Sequence, residues 1–83
     1  MKSAEIYERL TPIFQDVLDD DELVPRPELT ARDVDGWDSL RHVRLVLTVE
    51  KAFGVRFATT EVASLENVGE LVGLIQAKLS ASA

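Results

Sequence analysis

The chain has 83 residues, of which 46% are hydrophobic and 29% are charged, a composition that predicts a single domain over residues 1–83. Its formal net charge of −6 would be repelled by phosphate backbones, so we expect no nucleic-acid partner. It has no cysteine, so we expect no disulfide and no cysteine-based zinc site. It has no apolar run near the ~18 residues of a membrane span and no secretory h-region at its start. We therefore expect a cytoplasmic protein without a membrane partner.

The first predicted element is a helix from about Ser3 to Leu18. Ser3 is a suitable N-cap, because its hydroxyl can accept a hydrogen bond from a free backbone N–H of the first turn. Pro12 should weaken or bend the helix, but the apolar stripe continues through it and the helix is retained. The residues of that stripe are Ile6, Leu10, Ile13, Phe14, Val17 and Leu18.

Residues 19–37 break the helical period and predict a long loop. The segment contains two prolines, a glycine and an acidic cluster at 19–22, and its length exceeds that of most loops in compact domains. Trp37 is expected to pack against the loop and the second helix, because large aromatic side chains are mostly buried. Four hydrophobic residues are expected to attach the loop to the core: Leu23, Val24, Leu29 and Val34.

A second helix is predicted from about Ser39 to Phe53. Asp38 is a good N-cap, and Gly54 suits the left-handed position that follows a helix. Leu40 and Leu47 widen the apolar face of this helix beyond what one core contact needs. The other members of the face are Val43, Leu45, Val46, Val49 and Phe53.

Two more helices follow, a short one near Thr59 to Ser64 and a last one from about Val68 to Leu79. Asn67 is expected to cap the last helix, and Glu70 stands where a capping-box partner belongs. Together the elements predict an all-α fold. It is a small four-helix bundle of three main helices plus one short helix, with a long loop between helices 1 and 2.

The stretch DVDGWDSLRHV, residues 33–43, brings Asp38, Ser39 and His42 to neighbouring positions on a helix. A nucleophile, a base and an orienting acid would suit a serine hydrolase. However, Asp38 is better used as a cap, and nothing nearby forms an oxyanion hole in a dry pocket. We therefore expect no catalytic residue.

The same stretch contains part of a calcium-loop pattern at Asp33 and Asp35. Counted from Asp33, the sixth residue is Asp38 where an EF-hand needs glycine, and the twelfth is Arg44 where it needs a bidentate glutamate. A cation in the place of that ligand opposes calcium binding, so we expect no metal site.

Ser39 also stands in the first turn of a predicted helix, where free backbone N–H groups and the helix dipole favour a phosphate. The segments DVDGWDSLRHVRLVLTVEKAFGVRF and ASLENVGELVGLI resemble the acyl carrier proteins. In that family an Asp-Ser-Leu opens the second helix, and its serine carries 4′-phosphopantetheine taken covalently from coenzyme A. The resemblance maps this serine onto Ser39, with Asp38 and Leu40 as the cofactor-site residues that a phosphopantetheinyl transferase reads.

The resemblance implies a carrier protein and not an enzyme. Such a protein, expected to be a monomer, holds acyl groups as thioesters on the arm and presents them to acyl-loading and acyl-processing enzymes. Gly36-Trp37 stands where peptidyl carriers usually have Gly-Gly, which favours acyl cargo and a polyketide-type or related small-acyl pathway. The alternatives are a peptidyl or aminoacyl carrier, and a small helical protein-interaction module without a prosthetic group.

The start of the second helix departs from the family's pattern, in which the exposed face of this helix is often acidic. Here it carries Arg41, His42 and Arg44. Cations in the first turns oppose the helix dipole by about 0.3–1 kcal/mol each, so they do not serve helix stability. One hypothesis is that Arg41 or His42 contacts the attached phosphate.

Two interpretations of these cations remain open. In the first, they pair with Asp35, Asp38 or the acidic cluster at 19–22, as exposed charges commonly do. In the second, they belong to an altered docking face for partner enzymes. The residues of that face would be Leu40, Arg41, Val43, Arg44 and Leu47.

Overall fold

Four α-helices and one short 3₁₀ helix form the part of the chain that the structure describes. The structure is a computed structural model that covers residues 2–82, without the side chain of Ser82. The helices are α1 (Ser3–Val17), α2 (Ser39–Phe53), α3 (Thr59–Ala63) and α4 (Val68–Ser82), and the 3₁₀ helix is Ala31–Asp33. The predicted all-α fold, with three main helices, one short helix and a long loop between the first two, is confirmed. None of the helices described between residues 2 and 82 has the length and apolarity needed to cross a membrane.

Helix α1 matches its prediction except at its two ends. Its N-cap is Lys2, which provides no side-chain hydrogen bond, so the prediction of Ser3 as N-cap is wrong. Ser3 already belongs to the first turn of the helix, where it cannot act as the flanking cap. The helix continues through Pro12, which is exposed to solvent. It ends at Val17, one residue before the predicted Leu18.

The ends of α1 and α2 use the same backbone turn. After α2, Gly54 takes a left-handed conformation with φ 66°, and the N–H of Val55 donates to the carbonyl of Glu50 at 3.1 Å. This hydrogen bond closes a turn of six residues, as in a Schellman motif. The turn confirms Gly54 as the residue that follows the end of α2. After α1, Asp19 (φ 52°) takes the corresponding position.

The hydrophobic core lies where α1 packs against α2 and α4. Ile6, Leu10 and Phe14 of α1 are fully buried, which confirms the stripe read from their spacing. The other buried core residues are Val17, Leu18, Leu29, Leu45, Val49, Phe53, Val55, Val68, Leu71, Val72 and Ile75.

The long first loop is attached to the core and to the start of α4. Leu29 is buried, while Leu23 and Val34 are partly buried against the core. The prediction for Val24 is wrong, because its side chain is 58% exposed and the neighbouring Pro25 is buried instead. The position of the loop brings its 3₁₀ helix close to the beginning of α2.

Backbone hydrogen bonds also join the loop to α4. The N–H groups of Val68 and Gly69 donate to the carbonyls of Leu29 and Pro27, at 2.9 and 3.0 Å. The first N–H groups of a helix have no partner within it, so the loop satisfies two donors that would otherwise need water. The sequence does not reveal this pairing, because the two segments are about forty residues apart.

The start of α4 partly matches its prediction. Asn67 accepts a hydrogen bond from the N–H of Glu70 at 2.9 Å, which confirms the cap. The carboxylate of Glu70 accepts from the N–H of Glu66 at 2.6 Å and not from that of Asn67, so the predicted capping box is displaced by one residue. The helix runs to Ser82, three residues past the predicted Leu79.

The short helix α3 is held against α4 by Glu61. Its carboxylate accepts a hydrogen bond from the N–H of Ala58 at 2.7 Å and forms an ion pair with Lys78 at 2.9 Å. These two interactions, with the backbone bond as the larger cause, lower the pKa of Glu61 below its usual value. The helix ends at Ala63, one residue before the predicted Ser64.

Candidate functional site

Ser39 is the first residue of α2, and it is exposed to solvent. The residue before it, Asp38, has an extended backbone and accepts a hydrogen bond from the N–H of Arg41 at 2.9 Å, as predicted for the N-cap. The hydroxyl of Ser39 makes no hydrogen bond to any residue in the range 2–82. Helix geometry also leaves the N–H groups of Ser39 and Leu40 without a partner inside the helix. The hydroxyl is therefore accessible beside free backbone donors.

Ser39 borders a shallow depression at the junction of the loop and α2. Two aromatic residues form one side of it: Trp37, just before the helix, and His42, one turn into it. The residues that line the depression are Ala31, Trp37, Asp38, Ser39, His42 and Val43. Ala31 belongs to the 3₁₀ helix, and its place here could not be expected from sequence spacing.

Trp37 and His42 form a hydrogen-bonded, stacked pair. The indole Nε1–H of Trp37 donates to Nδ1 of His42 at 3.2 Å, and the two rings stack with centroids 6.1 Å apart and planes 26° apart. The Trp37 ring also meets the fully buried Phe14 edge-on, with centroids 5.6 Å apart. The prediction that Trp37 packs against the second helix is confirmed. The hydrogen bond to His42 was missed, because Trp37 lies outside the helix that carries the histidine.

This pair explains why the site is not that of a serine hydrolase. A hydrolytic triad needs the acid to accept from Nδ1–H of the histidine. Here Nδ1 of His42 is itself an acceptor from Trp37, and the carboxylate of Asp38 caps the helix. Across residues 2–82 we find no cluster of three or more histidine and carboxylate side chains that could hold a metal ion.

A small cavity adjoins the depression, with which it shares lining residues. Its volume is about 50 Å³, and Ala31, Trp37 and His42 border both the cavity and the depression. The remaining lining comes mainly from apolar residues of α2, α4 and the α3–α4 connection, including Leu45, Val46, Leu65, Val68 and Leu71. The side chains of Trp37 and His42 thus lie between the surface beside Ser39 and the interior of the bundle.

The apolar residues assigned to docking lie together on the exposed side of α2. Leu40 is 71% exposed, Val43 54% and Leu47 52%. Their spacing of three and four residues places them on one face of the helix. Large apolar side chains that remain exposed side by side are unusual enough to mark a candidate contact surface.

The cations of α2 do not pair with the acidic loop. No carboxylate in the described part of the chain lies within 4 Å of the guanidinium of Arg41 or Arg44. The guanidinium of Arg41 folds back over Gly36, whose φ is 86°, and a β-carbon added there would lie 2.9 Å from Nη1 of Arg41. The interpretation that these cations only neutralise Asp35, Asp38 or the 19–22 cluster is therefore contradicted.

The cap at Asp38 can be tested by its effect on stability. We expect Asp38→Ala to lower the free energy of unfolding by about 0.5–2 kcal/mol, because the N–H of Arg41 loses its acceptor. Asp38→Asn is the matched control, since asparagine caps about as well and should retain most of the stability. Urea unfolding measures both. Equal losses in the two variants would show that the carboxylate acts through its charge and not as a cap.

Known proteins match this chain in family, in sequence and in structure. Residues 8–75 match a family model described as a phosphopantetheine attachment site. The chain is 32% identical over 83 residues to an acyl carrier protein of Thermosynechococcus vestitus, covering 98% of this chain and 100% of that protein. It also matches the solution NMR structure of a holo acyl carrier protein from Geobacter metallireducens, with 42% identity and a TM-score of 0.85 over 92% of this chain and 87% of that one.

Proposed function

The chain belongs to the acyl carrier protein family, and we propose that Ser39 is the residue that carries its 4′-phosphopantetheine group. The protein is a carrier and not an enzyme, so its residues position a group on which other proteins act. The observation that carries the assignment is the free, exposed hydroxyl of Ser39 at the start of α2. In this assignment Asp38 and Leu40 flank the attachment point, as part of the surface that the transferase reads.

The residues around Ser39 fit this group. An attached phosphate would lie beside the free N–H groups at the start of α2 and the positive end of its dipole, both of which favour a negative charge. The carboxylate of Asp38 is engaged as the N-cap by the N–H of Arg41, so it does not bind the hydroxyl of Ser39, which stays open to solvent. When bound, the group supplies a terminal thiol for thioester formation, which the cysteine-free chain lacks.

The proposed attachment is a phosphoryl transfer from coenzyme A. Oγ of Ser39 attacks the phosphorus that bears the pantetheine and forms a new O–P bond. The bond from that phosphorus to the adenosine bisphosphate breaks, and 3′,5′-adenosine bisphosphate leaves. The proton of the serine hydroxyl passes to a base of the phosphopantetheinyl transferase, since the arrangement of Trp37, Asp38 and His42 provides no base here.

We further infer that the cargo is a small acyl group of a polyketide-type or related pathway. The cavity bordered by Trp37 and His42 measures about 50 Å³, whereas an engineered cavity of about 150 Å³ in a protein core binds benzene. A short acyl chain suits such a space better than a long one. A peptidyl or aminoacyl carrier is the alternative. The monomeric state and the cytoplasmic location stay predictions.

The experiment that tests the assignment uses the purified protein. It is incubated with coenzyme A and a broad-specificity phosphopantetheinyl transferase, and intact and fragment masses are then recorded. We expect one added phosphopantetheinyl group, mapped to Ser39. Modification at another serine would refute the assignment, and no modification would favour an interaction module. Labelling of Ser39 by a fluorophosphonate would instead favour a hydrolase.

A docking face on α2 is the second part of the proposal. Its apolar centre is formed by Leu40, Val43 and Leu47, and Arg41 and Arg44 supply its charge. Two cations without carboxylate partners beside exposed apolar side chains complement an acidic partner surface with an apolar centre. The partners would be the transferase and the acyl-loading and acyl-processing enzymes.

We expect the double variant Arg41→Glu, Arg44→Glu to slow acyl loading by the protein's own loading enzyme by about tenfold or more at low salt, because electrostatic steering is reversed. The rate is measured as kcat/KM, with circular dichroism to verify the fold. The difference should shrink at high salt, where charges are screened.

The matched control is Lys2→Glu, Arg26→Glu, which changes the net charge equally but leaves α2 intact. Both residues are exposed, and Arg26 loses only a weak ion pair to Glu28 at 3.7 Å. If the control slows loading as much as the α2 variant, overall charge and not the proposed docking face governs association.

A further inference from the structure

The Trp37–His42 pair has no part in the proposed attachment step or in the docking face. Trp37 is fixed from below by the edge-on contact of its ring with Phe14, which is fully buried. His42 is fixed in turn by the hydrogen bond and the ring stacking with Trp37. The imidazole therefore has a defined orientation at a half-buried position beside Ser39.

The hydrogen bond from Trp37 also determines which nitrogen of His42 carries the proton. An indole N–H is a donor only, so Nδ1 of His42 must be the acceptor. The neutral imidazole then carries its proton on Nε2. No residue in the described part of the chain accepts a hydrogen bond from Nε2. A positioned, half-buried donor without a protein acceptor is available to an acceptor on a ligand.

Helix geometry places this donor on the side of Ser39. His42 lies three residues after Ser39, at a spacing that makes two residues neighbours on a helix. Helical side chains also lean toward the N-terminus, so the imidazole covers the turn that contains Ser39. Both residues line the same depression. Arg41 lies only two residues from Ser39, a spacing that does not bring side chains together, and its guanidinium lies over Gly36.

We propose that Nε2–H of His42 donates a hydrogen bond to a phosphate oxygen of the group on Ser39 and so positions the arm. This inference rests on the proposed attachment at Ser39. The phosphodiester is anionic and follows directly on the carboxylate of Asp38, so a fixed N–H donor on the helix side offsets their repulsion. Of the two residues first considered for this contact, the geometry selects His42.

The contact would also set the direction in which the arm leaves Ser39. Besides the depression, His42 borders the groove between α2 and α3, which is lined by residues such as Val46, Leu47 and Val62. If the phosphate is bound at His42, the arm starts on the side of this groove and not over the acidic loop. Trp37 acts as the positioning residue that keeps the imidazole in place.

The wild-type holo protein provides the first test. ¹⁵N-labelled protein is converted with coenzyme A and a phosphopantetheinyl transferase, and its mass is checked. Long-range ¹H–¹⁵N spectra then report the protonated nitrogen of His42 at a pH where the ring is neutral. We expect the Nε2–H form before and after conversion, a shifted Nε2 resonance after it, and nuclear Overhauser contacts between the ring and the methylene next to the phosphate. A ring protonated on Nδ1, or one without contacts to the arm, would overturn the proposal.

Three variants of the holo protein provide the second test, with the ³¹P resonance as the readout. His42→Phe retains an aromatic ring but removes the donor, and we expect a shifted and narrower ³¹P line from a more mobile phosphate. Trp37→Phe removes the indole donor but retains an aromatic ring at this position, and it should give an intermediate line. Arg41→Gln is the control and should leave the line unchanged.

The outcomes separate this inference from the attachment itself. A ³¹P line that is unchanged in His42→Phe but altered in Arg41→Gln would assign the phosphate contact to Arg41 and overturn the proposal. A complete mass increase at Ser39 without any contact to the imidazole would refute this inference alone. Absence of the mass increase would refute the attachment at Ser39, and this inference with it.

Discussion

Ser39→Ala is expected to abolish phosphopantetheinylation completely while leaving the fold intact. The substitution removes the hydroxyl oxygen that attacks the phosphorus, and none of the other residues from 37 to 43 carries a hydroxyl. Ser39 is exposed and its hydroxyl makes no hydrogen bond within residues 2–82. The free energy of unfolding should therefore stay within about 0.5 kcal/mol of the wild-type value. Intact-mass spectrometry after incubation with coenzyme A and transferase measures the first effect, and urea unfolding the second.

A matched control comes from the same chain. Ser3 is also an exposed serine at the first position of a helix, α1. It lacks the flanking Asp38 and Leu40, and its helix does not carry the proposed docking face. Ser3→Ala should therefore be modified as completely as the wild type. Residual modification in Ser39→Ala that disappears only in the double variant would show that a helix-start serine is sufficient, and it would refute the specific role of Ser39.

Phe14→Ala should cause the largest loss of stability among the substitutions considered. Phe14 is fully buried at the centre of the core, and truncation of a buried phenylalanine costs about 3–5 kcal/mol. A chain of this size has a total stability of about 4–12 kcal/mol at ~0.05–0.15 kcal/mol per residue, so the variant should lose a large fraction of its free energy of unfolding. Urea unfolding followed by the fluorescence of Trp37, the single tryptophan, measures the loss.

The reporter is well placed, because the ring of Trp37 packs edge-on against Phe14. Phe57→Ala is the matched control: the chemical change is the same, but Phe57 is only partly buried. Its loss should be clearly smaller. Equal losses in the two variants would mean that burial at Phe14 does not dominate the core. In a Phe14 variant that still folds, Trp37 should also be less ordered, and the position of His42 with it.

Local chemistry explains why the bounds of α2 could be read from the sequence. Asp38 accepts from the N–H of Arg41, and Gly54 takes the left-handed turn; each is a contact between near neighbours in the chain. The apolar spacing of α1 worked for the same reason, since residues three and four apart share a face. The predictions were wrong where two neighbouring residues could serve the same role. Lys2 is the N-cap of α1, where Ser3 was expected. The carboxylate of Glu70 accepts from the N–H of Glu66, where that of Asn67 was expected.

The basic residues at the start of α2 show that the number of charges in a sequence does not tell which of them form ion pairs. The sequence alone allowed Arg41 and Arg44 either to pair with the acidic loop or to remain unpaired. Pairing requires a carboxylate of the loop to approach a guanidinium within a few ångströms, and none of the described carboxylates does so. Leu29 is buried and the carbonyls of Pro27 and Leu29 bond to the start of α4, which directs the loop toward that helix.

The helices of this protein, its family resemblance and the serine that the resemblance marks could be predicted from the sequence, because caps, periodicity and motif are contacts or patterns among close neighbours in the chain. The surroundings of that serine depend instead on the packing of the whole fold. The bond between Trp37 and His42, the support from Phe14 and the place of Ala31 depend on the packing of α1 and the loop against α2. Such contacts join segments that are distant in the chain, and no local pattern encodes the distance between them.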